Sequence, residues 1–411
     1  MDNQLALNRP AHAGRSCMVD KNNQKKLNIF TLASFLNDFG SDMIYPIWPL
    51  FVTSFAGVNM EVLGLIDGLG DAIVSVSQAI SGYWSDRIGK RKIFIWLGYL
   101  FGASSRVGYA FAAVWQWLVP FRVLDRAGKM RGAPRDAIIA DFSNAGDRGR
   151  NFGFLRVFDN LGAVCGIIFT IMFVKTLGYR NLFIIAAIPS VISALAIFFA
   201  IRAPARSDKK IYKGLQFKNI DLNFRLFIFL SSIFALGSFS YSFLLIFASR
   251  FGFPSYEVPL LYLIFTFAAS VMSLPFGRLS DKLKSRKAVV ALAYALWLAV
   301  CAGFIFAQTW WVVVLIFVVY GFHRAAIDTI QSAFVSELSP VEFRASILGA
   351  FQLVIGLCAL PASVAAGFIW DKWGMAAPFY LSAALTVCAL TLLIFVKEGK
   401  MNRGIVESPN R

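Results

Sequence analysis

Charge is what this sequence has least of. Asp, Glu, Lys and Arg make up 15% of the 411 residues, 58% are hydrophobic and the mean hydropathy is +0.64, whereas a soluble domain carries roughly 25% charged residues. An ordinary soluble protein is thereby excluded, and the chain belongs in a membrane. Cysteine is sparse as well. Cys17, Cys165, Cys301, Cys358 and Cys388 show no paired spacing and four of them fall in apolar runs, which supports neither a disulfide framework nor a zinc site. Histidine is reduced to two residues, and no Gly-x4-Gly-Lys-Ser/Thr, His-Glu-x2-His or Cys-x2-Cys stretch occurs. The constellations of an enzyme are missing, so neither catalysis nor a cofactor is expected. The first 26 residues are polar and lack the apolar core and cleavage site of a signal peptide. They read as a disordered cytoplasmic tail.

What is present is hydrophobic length. Twelve segments reach the about 20 residues that a bilayer crossing takes: 28–54, 61–84, 93–114, 116–141, 151–174, 180–201, 223–249, 256–278, 288–308, 309–336, 345–369 and 376–396. The fourth and tenth are interrupted by charge and are required by the alternation of the connections. Lys and Arg collect in the N-terminal tail, the even-numbered connections and the C-terminus, while the odd-numbered connections are short and nearly uncharged. That asymmetry places both termini in the cytoplasm. It also accounts for most of the net charge of +17, whose partner is anionic lipid headgroups rather than nucleic acid.

The chain repeats itself. GYWSDRIGKRK at Gly82 returns as GRLSDKLKSRK at Gly277, an offset of 195, and Asp141, Arg148 and Gly153 return as Glu337, Arg344 and Gly349 at an offset of 196. A six-span unit is written twice, with the basic stretch from Arg202 to Lys218 as the hinge. The expected fold is an all-α membrane protein of twelve transmembrane helices in two six-helix pseudo-repeats. Its parts are a tail at 1–26, bundles at 27–201 and 223–397, a linker at 202–222 and a tail at 398–411.

These residues carry a resemblance to the major facilitator superfamily, whose halves are parallel repeats. Gly82, Ser85, Asp86, Arg87, Gly89, Lys90 and Arg91 fit the family pattern Gly-x-Leu-Ala-Asp-Arg-x-Gly-Arg-Lys, with Trp84 replacing Leu. Pro46-Ile-Trp-Pro49 is similar to its Pro-x-x-Pro signature. In span five Gly153, Gly162 and Gly166 keep the spacing of the drug-exporter glycines, but Ile167 replaces the proline and Thr170-Ile171 the final glycines. The resemblance implies a secondary transporter of the bacterial inner membrane, a monomer working by alternating access. It also implies that the stretch around Asp86 is a cytoplasmic latch. There Gly82 admits a neighbouring helix, Asp86 accepts from the amides of another helix's N-terminus or from an Arg, the basic Arg87 and Arg91 hold the loop at the headgroups, and Gly89 belongs to the same group. Asp141, Arg148, Arg156 and Asp159, with the second-half counterparts Gly277, Asp281, Glu337 and Arg344, join that group.

Charges inside the spans point to substrate and coupling. Each costs about 2.5 to 3.5 kcal/mol at a helix centre, so a buried ionisable residue is a functional candidate by default. Asp38 and Asp42, Asp67 and Asp71, and Arg324 and Asp328 are spaced i, i+4, on one face of their helices. Span four carries Arg122, Asp125, Arg126, Lys129, Arg131, Arg135, Asp136 and Asp141 and cannot face lipid all round. The expected cavity set is Asp38, Asp42, Arg122, Asp125, Arg126, His323, Arg324 and Asp328. Asp38 is the first candidate for proton coupling and Asp125 the second. The Arg and Lys excess suits a small solute with a carboxylate or phosphate, moved with protons. A proton-driven drug or metabolite exporter is the alternative, and a non-transporting receptor or scaffold a remoter one.

Overall fold

A computed structural model describes residues 11–55, 57–142, 148–201, 222–283, 285–338 and 344–397. Among them every regular element is helical. Span one is Ala11–Asp42, a turn at 43–47, Trp48–Leu50 and a π-helical turn Phe51–Phe55. Pro46 and Pro49 cause the break, because each removes a backbone donor from the helix ladder. Upstream, the helix begins at Ala11, so 11–26 is helical rather than the disordered tail the composition suggested. A helix nucleated in the span extends at little cost where no proline stops it.

Span two is Met60–Ile88 and ends at Gly89 (φ 73°), whose N–H reaches Ser85 O. Span three is Arg91–Phe111. Span four runs in three pieces, Trp115–Ala127, a 3-10 turn Gly128–Arg131, and Gly132–Phe142. The 3-10 turn lies where Gly98 and Gly128 touch backbone to backbone, since a Cβ on Gly98 would sit 2.6 Å from Gly128 O. Spans five and six form Arg148–Ala200, reversed at Gly178 (φ 69°, ψ 173°), a conformation that needs glycine.

In the second half span seven is Leu222–Gly237 and Tyr241–Arg250, with Ser240 capping the second piece. Spans eight to twelve are Val258–Leu283, Arg286–Phe306, Trp310–Glu337, Arg344–Trp373 and Ala377–Phe395. Among the described residues eight helical stretches are long and apolar enough to cross a membrane, and Asn151–Ala200 among them supplies two crossings through its reversal. Spans one, three and four complete the twelve. These three carry more polar and charged side chains than the rest, and Asn37, Ser41, Arg106, Arg122, Asp125 and Arg126 among them are buried.

Within the first half, span one packs on spans five and six and span three on span six; within the second, spans eight and nine pack on ten and span seven on twelve. Gly162 and Gly166, flagged by their spacing, are the places where span five meets span one, for Cβ atoms there would fall 2.4 and 2.2 Å from Phe35 O and Phe39 O. The halves meet mainly along spans two and eleven, with spans five and eight adding a second seam.

Candidate functional site

Asp67, in span two, is the most heavily bonded carboxylate of the interior. Arg122 Nη2 lies 2.6 Å from its Oδ1, and Trp48 Nε1 donates to the same oxygen at 2.9 Å. Oδ2 accepts from Ser240 at 2.8 Å and from Ser242, both in span seven. Arg122 also stacks on the Trp48 ring, Cζ 4.2 Å from its centroid. These donors replace the water that burial takes from the carboxylate. The donors come from both halves, so Asp67 fastens the bundles together near the ends of spans one, two and seven that carry the odd-numbered connections.

Deeper along span one, Asp38 accepts from Asn37 Nδ2 at 2.9 Å and lies 3.7 Å from Arg131 Nη2. Arg131 in turn covers the Tyr99 ring. Asp42, one helical turn on, has no ion pair within 4 Å among the described residues; Tyr262 of span eight approaches it from the other half. Asp125 is buried between Ser105 (3.5 Å) and Arg126 Nε (3.8 Å). Arg126 and Lys129 both reach over the ring of Tyr45, at 5.0 and 5.5 Å, and the Tyr45 carbonyl accepts from Tyr241 across the bundle boundary at 3.2 Å. One helix face thus presents two cations to an aromatic ring at the junction of the halves.

The latch candidates divide. Asp86, Asp141, Arg148, Asp281, Glu337 and Arg344 lie, as side chains, outside the described residues. Arg156 and Asp159 sit in an ion cluster inside the first bundle: Arg135 Nη1 reaches Asp159 Oδ2 at 3.4 Å and Ser34 Oγ at 2.6 Å, Ser34 donates to Asp159 Oδ1 at 2.5 Å, and Arg156 bridges Asp159 and Asp136 at 3.7 Å each. Among the described residues Arg87 reaches the Tyr83 hydroxyl, at 3.2 Å, and Arg91 opens span three. Gly82 and Gly277 occupy equivalent places, facing Ala133 of span four and Thr329 of span ten, where a Cβ would be at ordinary contact distances of 3.6 and 3.7 Å. Close approach therefore does not require glycine at either position in this conformation.

In the second half Arg324 and Asp328 form a 2.9 Å pair, half-exposed although both sit inside span ten. Their exposure is to a cavity of about 330 Å³ between spans five, eight and ten, lined by Asn160, Tyr262, Thr266, Ser270, Arg324 and Asp328 among others. His323, grouped by sequence with the cavity, is placed elsewhere. It is buried at 2% exposure, with Nδ1 2.8 Å from Ala293 O and its ring between Phe234, Trp297 and Tyr320. Adjacent helix positions point about 100° apart, so the neighbour of a cavity residue faces the bundle core.

Sequence reasoning missed Arg106. It is buried in span three and bonded to neutral groups, Ala186 O at 3.0 Å, Ser41 Oγ at 2.6 Å and Ser190 Oγ. A single Arg in an apolar run was the available signal. Asp371 was missed too, because it fell just past the expected end of span eleven. Its carboxylate accepts from Met60 N at 3.1 Å and Glu61 N at 2.9 Å, the first amides of span two.

The family description "Major Facilitator Superfamily" matches residues 30–265 and 225–409. An uncharacterized MFS-type transporter of Methanocaldococcus jannaschii is 35% identical over 386 residues, covering 92% of this chain and 96% of that one. Among solved structures, the nucleoside transporter NupG superposes with a TM-score of 0.74 at 16% identity, over 90% of this chain and 97% of that chain. A bacterial homologue of the human lysosomal transporter Spinster, inward-facing and occupied, gives 0.70 at 17% identity over 91% and 95%. With twelve helices in two repeated bundles and charges gathered where the bundles meet, this chain is a member of the major facilitator superfamily.

Proposed function

We propose that the protein is a secondary transporter that carries a small ionisable solute, leaning anionic, across the cytoplasmic membrane by alternating access, coupled to protons. The observation that carries the reading is an asymmetry. The halves are fastened at the odd-connection end by Asp67 with Ser240 and Ser242 and by Asp371 with the start of span two, while the cavity at Arg324 and Asp328 lies between the halves further along. By the Lys and Arg distribution the fastened end is external, so the arrangement reads as inward-facing.

Arg126 and Lys129 favour an anionic solute. Both reach over the ring of Tyr45 in span one, beside the junction of the halves, and with Asp125 as the carboxylate paired to Arg126 this cluster keeps an excess of positive charge for a carboxylate or phosphate. For proton coupling the geometry favours Asp42 over Asp38 and Asp125. Both of those carry a cation within 4 Å, whereas Asp42 faces a tyrosine of the opposite half and can change its charge without breaking an ion pair.

The test is a screen of organic anions in proteoliposomes under an imposed pH gradient. Accumulation that collapses with the gradient supports the reading. Uptake indifferent to the gradient removes proton coupling, and no flux of any solute class removes transport.

A further inference from the structure

Span two begins with a complete hydrogen-bond account. Of its first amides, Val62 N is capped by Asn59 Oδ1 at 3.1 Å and Leu63 N reaches Asn59 O at 3.2 Å, both local. Met60 N and Glu61 N are satisfied from the other half of the molecule, by the two oxygens of Asp371. A helix start leaves four amides to be satisfied, and here two depend on the bundles being together.

Asp371 is misplaced for its own helix. It lies in the last turn of span eleven, which ends at Trp373, where the macrodipole disfavours an acid and favours a base. The N-terminal end of span two is the opposite pole. The carboxylate is therefore tolerated by its helix because a second helix start faces it. Directly inward the two helices touch through backbone: Cβ atoms on Gly367 and Gly64 would come within 2.2 Å of Met60 O and 2.1 Å of Ser363 O. The contact lies at the outer end of a seam with almost no side-chain padding.

We infer that Asp371 is a positioning residue of the transport cycle: its carboxylate, clasped on the amides of Met60 and Glu61, holds the external end shut, and the clasp must release before the solute can enter from that side. In the open state water takes over both amides and the carboxylate. The clasp thus sets the balance between the two states without touching solute. The inference rests on the transport reading for its functional meaning, but its structural content can be tested without a substrate.

Ser363 supplies the reporter. It is 1% exposed on the seam and its Oγ is without a hydrogen-bond partner among the described residues, so Ser363→Cys in a background lacking the native cysteines loses no bond seen there. A membrane-impermeant maleimide applied from outside should label it slowly. Adding Asp371→Ala should raise the labelling rate roughly tenfold, Asp371→Asn should give an intermediate rate because one acceptor oxygen is kept, and Asp371→Glu should stay nearest the parent. If Asp371→Ala does not fold, as judged by a monodisperse elution profile, Asp371→Asn alone decides. A rate unchanged in the folded variant overturns the clasp. Faster labelling in a protein that moves no solute in the anion screen leaves the clasp standing and removes the transport reading.

Discussion

Arg122 and Asp67 meet at 2.6 Å in the interior of the first bundle, and the carboxylate that neutralises Arg122 is the same one that receives Ser240 and Ser242 from the second. One acid is at once an internal ion-pair partner and an inter-bundle acceptor, so a change there should act on stability and on conformation together.

Asp67→Asn leaves the Arg122 guanidinium buried without its counter-charge, a loss of about 3 to 5 kcal/mol for a broken buried pair. Thermal unfolding in detergent should show a large drop. Asp67→Asn with Arg122→Met, which removes both charges, should recover part of it. An unchanged midpoint in Asp67→Asn would contradict the pairing.

For coupling, Asp42→Asn should abolish gradient-driven accumulation while leaving solute exchange without net proton movement, measured in the same proteoliposomes. Asp38→Asn, which frees Arg131, should lower stability by about 1 to 3 kcal/mol and slow both modes alike. Full accumulation in folded Asp42→Asn returns the role to Asp38 or Asp125.

His323→Gln should leave the pH dependence of transport where it is and lower stability by roughly 1 to 3 kcal/mol, since it trades a buried, ring-stacked hydrogen bond for a poorer fit. A displaced pH profile would mean that this histidine titrates in the cycle.

Topology gives the simplest check. Cysteines placed at Lys90 and Gln308, both exposed and at opposite ends of the bundle, should label from opposite sides of the membrane, Lys90 from inside. Labelling from one side would undo the orientation drawn from the basic connections.

Local pattern carried much of this molecule. Hydropathy marked most of the crossings, the alternation of the basic connections supplied the rest, and the Gly-x-x-Ser-Asp stretch showed the repeat. What stayed hidden is what spacing cannot encode. Asp67 and Asp71 were visible as an i, i+4 pair, but nothing local says that Asp67 meets Arg122 and span seven. Asp371 read as loop because its role depends on a helix start about 310 residues away in sequence. His323 and Arg324 are neighbours in sequence and divided in space, one in the core and one in the cavity. Long-range partnership, not element type, was the missing information.

Alternating access requires that the two ends of the molecule open in turn. It is tested most directly by measuring two distances between spin labels on the same protein in membranes, one pair at Ala113 and Gln308 and the other at Lys90 and Lys282, in acidic and neutral buffer and in Asp67→Asn. Alternating access predicts that whatever lengthens the first distance shortens the second. Distances that stay fixed under every condition, or that change in the same sense, would contradict it.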